Sequence, residues 1–379
     1  MAVKSPNTKP KDSSMNEHNV FVGIDFHKRY SVISAQDGAG NRVLEARING
    51  NTPEGFRSVF SQLPGKSKVA MEACWNWGKL YDILDGLPGI EEIVLSHPYK
   101  TRIIAESQIK TDKIDARKLA ELLRGNFISR AYAPAKKVRR LKDSLRQRLY
   151  WVRLRTCVRN RVHILLDRQI DLEMPQRSDL FTGKGMKILR ALRLPDQQQQ
   201  RLLDQDLECL EMLDRHVKAI EKEMTYLCRE NEDLQLLCSV PGLGITLAPV
   251  IGLEIDDITR FVRSDKLVAY AGLAPSTHSS GGKTYHGKML WQSNRWLKWA
   301  FIEAAWVAIG CDPYFGSLYR EYRAQGKGAN TAITRVARRM CKIVWQVLDE
   351  KRPYEKRSYT SITNFPGALS VKTDGLCTV

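Results

Sequence analysis

No two of the eight cysteines stand at CxxC spacing and none belongs to a Cys/His cluster. That excludes the usual structural zinc ligand sets. No stretch reaches the ~18 consecutive apolar residues of a membrane span. The opening MAVKSPNTKPKDSSMNEHN lacks the apolar segment of a secretory signal. These absences predict reduced thiols, a cytoplasmic protein with no membrane partner, and a disordered tail over residues 1–18. Acidic residues are also in deficit, 42 Asp and Glu against 60 Lys and Arg, for a net charge of +18. Such an imbalance argues for a polyanionic partner, most often nucleic acid. The plainer alternative is a basic enzyme with scattered lysines. At 379 residues the chain is long for one domain and suggests two or three.

The first part, residues 19–130, reads as a mixed α/β sheet. NVFVGIDFH is an apolar, β-branched strand, and YSVISAQDGAGNRVLEARI alternates around DGAGN, a hairpin signal. TPEGFRSVFSQL opens as a helix, SKVAMEACW and EEIVLSH are further strands, and DKIDARKLAELLRG is a helix stopped by Gly125. From Ala131 to Arg168 the character changes. Twelve basic residues, among them Lys136, Lys137, Arg139, Arg140, Arg146 and Arg153, face only Asp143 and Asp167. Leucines and valines recur at helical spacing, so this is a long basic helix with one apolar stripe, a candidate polyanion surface.

A second long helix carries Leu203, Leu210, Val217 and Met224 seven apart, and likewise Leu213, Ile220, Leu227 and Leu234. This is a coiled-coil pattern of about four heptads, expected to pair with the basic helix in the chain or across a dimer. Residues 131–236 thus form a basic-helix and coiled-coil region, and 237–350 a mostly helical domain, with a tail over 351–379. In CSVPGLGITLAPVIGLEI, Gly242 and Gly244 make a tight turn whose amides would suit a phosphate at a helix N-terminus. STHSSGGKTYHGKM reads as a Gly/Ser-rich loop within the helical domain, and spacing alone makes it a surface turn.

Four acids stand out. Asp25 and Glu72 fall at strand ends, poor places for a buried charge, and Asp112 and Asp115 open a helix after the same sheet. Singly, Asp112 reads equally as an N-cap, Asp115 as a surface partner of Lys113 or Lys118, and Asp25 as a strand end. Together they make an oxygen-only ligand set suited to Mg²⁺ or Mn²⁺. Two such ions clamp the attacking and leaving oxygens of a phosphodiester. Lys113 and Arg117 beside the aspartates would draw in the backbone.

GIDFHK, MEA, KTDKIDARKLAELLR, SVPGLGITLAPVIGLEI, KLVAYAGLAP and SSGGK carry a resemblance to the DEDD-type transposases of bacterial insertion sequences, from about Val20 to about Leu348. The resemblance implies an α/β RNase H/RuvC-like domain followed by a separate helical transposase domain. It places the acidic tetrad on Asp25, Glu72, Asp112 and Asp115, and an essential serine on Ser280, with Ser279 adjacent. Lys283, Lys288 and Arg295 are the cations around that serine. Two departures touch local loops: Ala73-Cys74-Trp75 where relatives carry Ala-Thr-Gly, and Ser293-Asn294-Arg295 where they carry Gly-Asn-Arg. The implied chemistry is cutting and rejoining of target and donor DNA by a serine nucleophile with carboxylate-bound Mg²⁺ or Mn²⁺. It also implies a noncoding bridge RNA as guide, seated on the basic helix, and a homo-oligomer, dimer or tetramer, with composite sites. Two alternatives remain: a RuvC-like metal-dependent nuclease acting on branched nucleic acid, and a non-catalytic nucleic-acid-binding protein whose acids are structural.

Overall fold

A computed structural model describes residues 20–105, 111–169, 180–280, 283–289 and 293–359. The expected tail at 1–18 and the chain from 360 onward lie outside the described residues. Two compact units divide after Lys136.

The first unit runs β1 (Val20–Phe26), β2 (Tyr30–Gln36), β3 (Arg42–Asn49), α1 (Pro53–Phe60), β4 (Ser67–Glu72), α2 (Trp77–Asp85), β5 (Ile90–Ser96), α3 (Pro98–Ala105) and α4 (Asp112–Arg124). Its five-stranded sheet has the order β3-β2-β1-β4-β5. The first three strands are antiparallel, while β4 and β5 run parallel to β1. The DGAGN turn closes as expected, with Asp37 accepting hydrogen bonds from the backbone and side chain of Asn41 and Gly40 at φ +91. Period-two alternation splits each strand between two faces. Val22 and Ile24 face a core with Phe56, Phe60, Leu80 and Leu84 from α1 and α2. The opposite face takes α4, through Leu119 and Leu123 on Ala70 and Val94. Gly23 lies directly beneath α4, and a Cβ there would stand 2.0 Å from the Ala116 carbonyl oxygen. This glycine is what lets the helix approach so closely.

The second unit is mostly helical: α5 (Lys136–Asp167, beginning at the boundary), α6 (Gly183–Ala191), α7 (Gln197–Glu230), α8 (Glu232–Cys238), α9 (Leu247–Ile255), α10 (Ser264–Tyr270), then β6 (Pro275–Ser280), β7 (Lys283–Met289), α11 (Arg295–Cys311), α12 (Pro313–Ala324) and α13 (Ala329–Asp349). α5 and α7 pair antiparallel within the chain. Arg148 meets Glu221 at 3.0 Å, Arg155 meets Asp214 at 2.7 Å and Arg161 meets Asp206 at 3.4 Å, so moving forward along one helix means moving back along the other. Val162 and Leu166 share a core with Leu203, Leu207 and Leu210. The heptad helix is shorter than its pattern: Asn231 leaves the helical conformation at φ −121, ψ 113, and its side chain caps α8 by accepting from Leu234 N at 3.0 Å. Leu234 therefore belongs to the next helix. The remaining core gathers α8 to α13 around Phe301, Phe315 and Ile251.

Two expectations are corrected here. Most of STHSSGGKTYHGKM is not loop but two paired antiparallel strands, Ser280 pairing with Lys283 and His278 with Tyr285, while Gly281-Gly282 lie outside the described residues. Residues 351–359, expected to begin a tail, lie against the helical core: Tyr354 N donates to Ser239 Oγ at 2.7 Å, and Tyr354 and Tyr359 pack on its surface.

Candidate active site

Asp25 and Glu72 end neighbouring parallel strands, Ile24 being in register with Met71. α4 lies across the same face and presents Asp112 and Asp115 from its first turn. All four acids line one open cleft of about 730 Å³, together with His27, Tyr99 and Lys118. Crevices beyond the carboxyl ends of sheet strands are where α/β folds generally place ligands. Thr111, not Asp112, caps α4: its hydroxyl accepts from Ile114 N at 3.3 Å. The N-cap reading of Asp112 is thereby removed, and its carboxylate points elsewhere. Glu72 is exposed at the end of β4, so the expected burial cost applies to Asp25 and not to Glu72.

His27, two residues beyond Asp25, joins the cluster. Its Nε2 lies 3.0 Å from Asp25 Oδ2 and 3.5 Å from Asp112 Oδ1. Tyr30 donates its hydroxyl to Asp112 Oδ2 at 2.8 Å, and its ring packs 4.7 Å from His27 and 3.9 Å beneath the Arg47 guanidinium. Partial burial pushes the Asp25 carboxyl above its usual range, His27 pulls against that, and Asp112 and Asp115 add repulsion. Hydrogen bonding to Asp112 pushes the Tyr30 phenol above its usual range. Asp25, His27 and Asp112 offer ligand atoms all within 4.8 Å of one another. Among the described residues, neither Asp25 nor Asp112 is paired with a lysine or arginine. Clustered carboxylates with that much unbalanced charge and hard oxygen donors fit a divalent cation.

Two family models match in succession. A DEDD-type IS110 transposase model covers residues 22–170, and one described as "Transposase IS116/IS110/IS902 family" covers residues 234–320. The chain belongs to the IS116/IS110/IS902 transposase family. Families of this kind carry out DNA strand transfer. The transposase for insertion sequence element IS1111A of Coxiella burnetii is 27% identical over 360 residues, 91% of this chain and 94% of that one. A probable family 20 transposase of Pseudomonas aeruginosa is 25% identical over 351 residues, 88% and 98% of the two chains. An insertion element IS110 protein of Streptomyces coelicolor is 32% identical over 140 residues, 37% of this chain and only 35% of its own length.

In this IS110-family chain three of the expected phosphate-binding cations are already engaged with carboxylates. Arg117 reaches Glu45 at 2.8 Å and Lys136 reaches Asp82 at 3.3 Å. Arg146 binds Glu254 at 3.1 Å, and Lys142 is buried against the same glutamate. Lys113, Lys137, Arg140, Arg153 and Arg295 are exposed, while Arg139 is half-buried. Lys113 also borders a second cavity of about 450 Å³ that shares Thr111 and Asp112 with the carboxylate cleft. Trp151 stacks on His216 of α7 at 5.6 Å, whereas Tyr150 is exposed. Gly242 has a packing reason for its identity: at φ +85, a Cβ would lie 2.2 Å from the Ala304 carbonyl oxygen of α11. Gly244 has open space around it, and its carbonyl accepts from Leu247 N and Ala248 N, so two amides of the helix start are turned inward.

Ser280 ends β6 and Lys283 begins β7; for these and for Lys288 only the backbone position is described. Asn294 stands just before α11. It caps α11 by accepting from Trp296 N and Leu297 N, and its Nδ2 donates to Glu254 Oε2 at 2.8 Å. Glu254 also holds Lys142 at 3.2 Å, both side chains being 8% exposed. One buried carboxylate thus joins the basic helix to the N-terminus of α11.

Proposed function

We propose that this chain cuts and rejoins DNA to move its own insertion sequence, using the four-carboxylate cleft and Ser280 together. The observation that carries this reading is the convergence of Asp25, Glu72, Asp112 and Asp115 on one cleft in a chain matched by transposase models in both halves. The strand order β3-β2-β1-β4-β5, antiparallel across the first three strands, supports an RNase H/RuvC-like reading of the first unit.

Asp25, Glu72, Asp112 and Asp115 would hold Mg²⁺ or Mn²⁺, with His27 and Tyr30 orienting Asp25 and Asp112. When bound, the metal supplies charge neutralisation at the phosphate and the leaving oxygen. Ser280 Oγ attacks the scissile phosphorus; the new P–Oγ bond forms as the P–O bond to the departing strand breaks. The serine proton is released, and the departing oxygen takes one up. Rejoining is the reverse attack by a strand hydroxyl on the serine ester, so the bond energy is conserved. A noncoding bridge RNA would lie along Lys137, Arg139, Arg140 and Arg153 of α5, with Lys136 and Arg146 at the edges of that surface and Lys113 and Arg117 beside the cleft. Gly242 and Gly244, with Lys283, Lys288 and Arg295, would line the DNA path in the second unit. Met212 and Tyr226, two heptads apart and exposed on α7, support a coiled-coil contact in a homo-oligomer, dimer or tetramer.

The test is incubation with RNA transcribed beside the gene, target and donor DNA, and Mg²⁺. A denaturant-resistant protein–DNA adduct is expected, lost in Ser280→Ala. Cleavage that survives Ser280→Ala would point instead to a metal-dependent nuclease, a reading favoured by the fact that all four acids come from the first unit. If Asp25→Asn and Asp115→Asn change no activity, the acids are structural.

A further inference from the structure

α13 buries Ile333, Val336, Ala337, Met340 and Val344. Its other side carries Arg335, Arg338, Arg339 and Lys342, spaced i, i+3, i+4, i+7 and hence on one face. Like charges at i, i+4 cost a helix about 0.2–0.5 kcal/mol per pair. A face that concentrates two such pairs is more stable with an anion against it. Lys342 is matched by Asp265 at 2.7 Å, an acid that this contact holds below the usual carboxylate range. Arg335 lies 5.2 Å over the Tyr322 ring. Both Arg335 and Arg338 are exposed, and neither is in an ion pair among the described residues.

These four cations line a cleft of about 800 Å³ with the hydroxyls of Thr331 and Thr334. Its far wall is the base of the β6–β7 hairpin, at Pro275, Gly287 and Met289. Guanidinium groups, an ammonium and the Thr331 hydroxyl in one groove, with the Thr334 hydroxyl donating to the Asn330 carbonyl at 2.6 Å, are the chemistry that grips phosphodiester oxygens without reading bases. We infer that this groove of α13 is a docking site for the DNA strand processed at the hairpin, its hairpin wall no more than about five nucleotides from the scissile phosphate; the spacing rests on the reading of Ser280 as the attacking group. Pro275 and Ser280 are the two ends of one strand. At about 3.3 Å per residue their separation is at most about 17 Å, and at 3.4 Å per nucleotide that is about five steps of a duplex strand.

The experiment uses the full chain carrying Ser280→Ala, so that binding is measured without chemistry. Its affinity for a long duplex is compared with that of the same protein also carrying Arg335→Gln and Arg338→Gln, from about 50 to 200 mM salt. The added substitutions should weaken binding roughly tenfold or more and reduce the log–log salt slope by about 1.8, the loss of two phosphate contacts at ~0.9 each on duplex DNA. Arg335→Lys with Arg338→Lys should keep most of the slope, which a packing defect would not. Equal affinity and equal slope with and without the glutamines would overturn the groove as a DNA site. A covalent adduct that persists in Ser280→Ala would instead overturn the serine reading and the five-nucleotide spacing, while the slope comparison still decides the groove.

Discussion

Gly23→Ala is the sharpest perturbation of the carboxylate cleft, although it touches none of the four acids. Two effects compete. Removing a glycine from a strand interior ordinarily stabilises by about 0.5–1 kcal/mol through unfolded-state entropy. Against that, the new methyl would stand 2.0 Å from the Ala116 carbonyl oxygen, 2.5 Å from Ala120 N and 2.9 Å from Leu119 Cβ. Cβ contacts under 3.0 Å are essentially never found, so α4 must retreat by about 1 Å. Two of the three clashes are with backbone, which no rotamer change relieves. Overpacking of this kind costs about 1–3 kcal/mol and outweighs the entropy gain. The helix carries Asp112 and Asp115, so its retreat also opens the cleft relative to Asp25. A 1 Å misplacement of catalytic groups costs roughly 10²-fold in rate.

The assay is thermal unfolding with and without Mg²⁺, alongside strand transfer. The expected result is a melting temperature lower by up to about 20 °C for the first unit, a smaller Mg²⁺-dependent rise, and strand transfer reduced about 100-fold. Gly38→Ala is the control, since a Cβ there meets nothing within 4 Å. Ala116→Gly should fail to rescue, because the obstacle is the carbonyl oxygen. Full activity and an unchanged melting temperature in Gly23→Ala would refute the claim that this contact sets the position of α4.

Asp25→Asn should raise the metal-free melting temperature at neutral pH. The folded carboxyl is held above the usual range by burial, so its favourable contribution is present below about pH 3.9 and lost as pH rises through the raised value. The advantage of Asn should vanish on acidification and reverse on adding Mg²⁺, which stabilises only the wild type. Tyr30→Phe removes the 2.8 Å bond to Asp112 and should weaken Mn²⁺ binding about 10–100-fold by calorimetry, with the fold intact by circular dichroism. Glu254→Ala strands the buried Lys142 and should cost about 3–5 kcal/mol, a fall of about 6–20 °C in the second unit's melting temperature. Glu254→Ala combined with Lys142→Met should recover much of that loss.

Most strands of the first unit were legible because each carries period-two alternation between clear turn residues. The β6–β7 hairpin was not, since its strands are built from Ser, Thr, His and Lys and look polar throughout. Its one signal was Gly281-Gly282, two glycines between two alternating runs. The heptad reading ran past the end of α7 because Leu227 and Leu234 keep the seven-residue interval across the break. The contrary signal was local: Asn231-Glu232-Asp233 is a helix start, an Asn cap followed by first-turn acids. The basic helix was legible as a helix but overstated as an open cationic face. Besides the local Asp143 beside Arg146, the acids hydrogen-bonded to Arg146, Arg148, Arg155 and Arg161 lie 45 to 108 residues away in sequence, and no local pattern reveals such pairings.

The acidic cluster shows what spacing can and cannot supply. Asp-x-x-Asp in a helical first turn puts both carboxylates near one end of α4, and that was readable. His27 was missed: a residue two beyond Asp25 tends to share its face of the strand, yet histidine beside an acid looks incidental without the helix that brings Asp112 within 3.5 Å. What no sequence pattern conveys is how the charges are balanced. In a chain with 60 basic residues, Glu45, Glu92 and Asp82 of the first unit each take a lysine or arginine. Asp25 and Asp112 take a histidine and a tyrosine instead. Among the described residues, two neighbouring acids thus have no lysine or arginine while solvent-facing glutamates have one, an arrangement that stability alone gives little reason for. The distribution makes sense if the missing positive charge arrives from outside, as a metal ion, which is why Mg²⁺-dependent stabilisation of the wild type, and its absence in Asp25→Asn, bears most directly on this site.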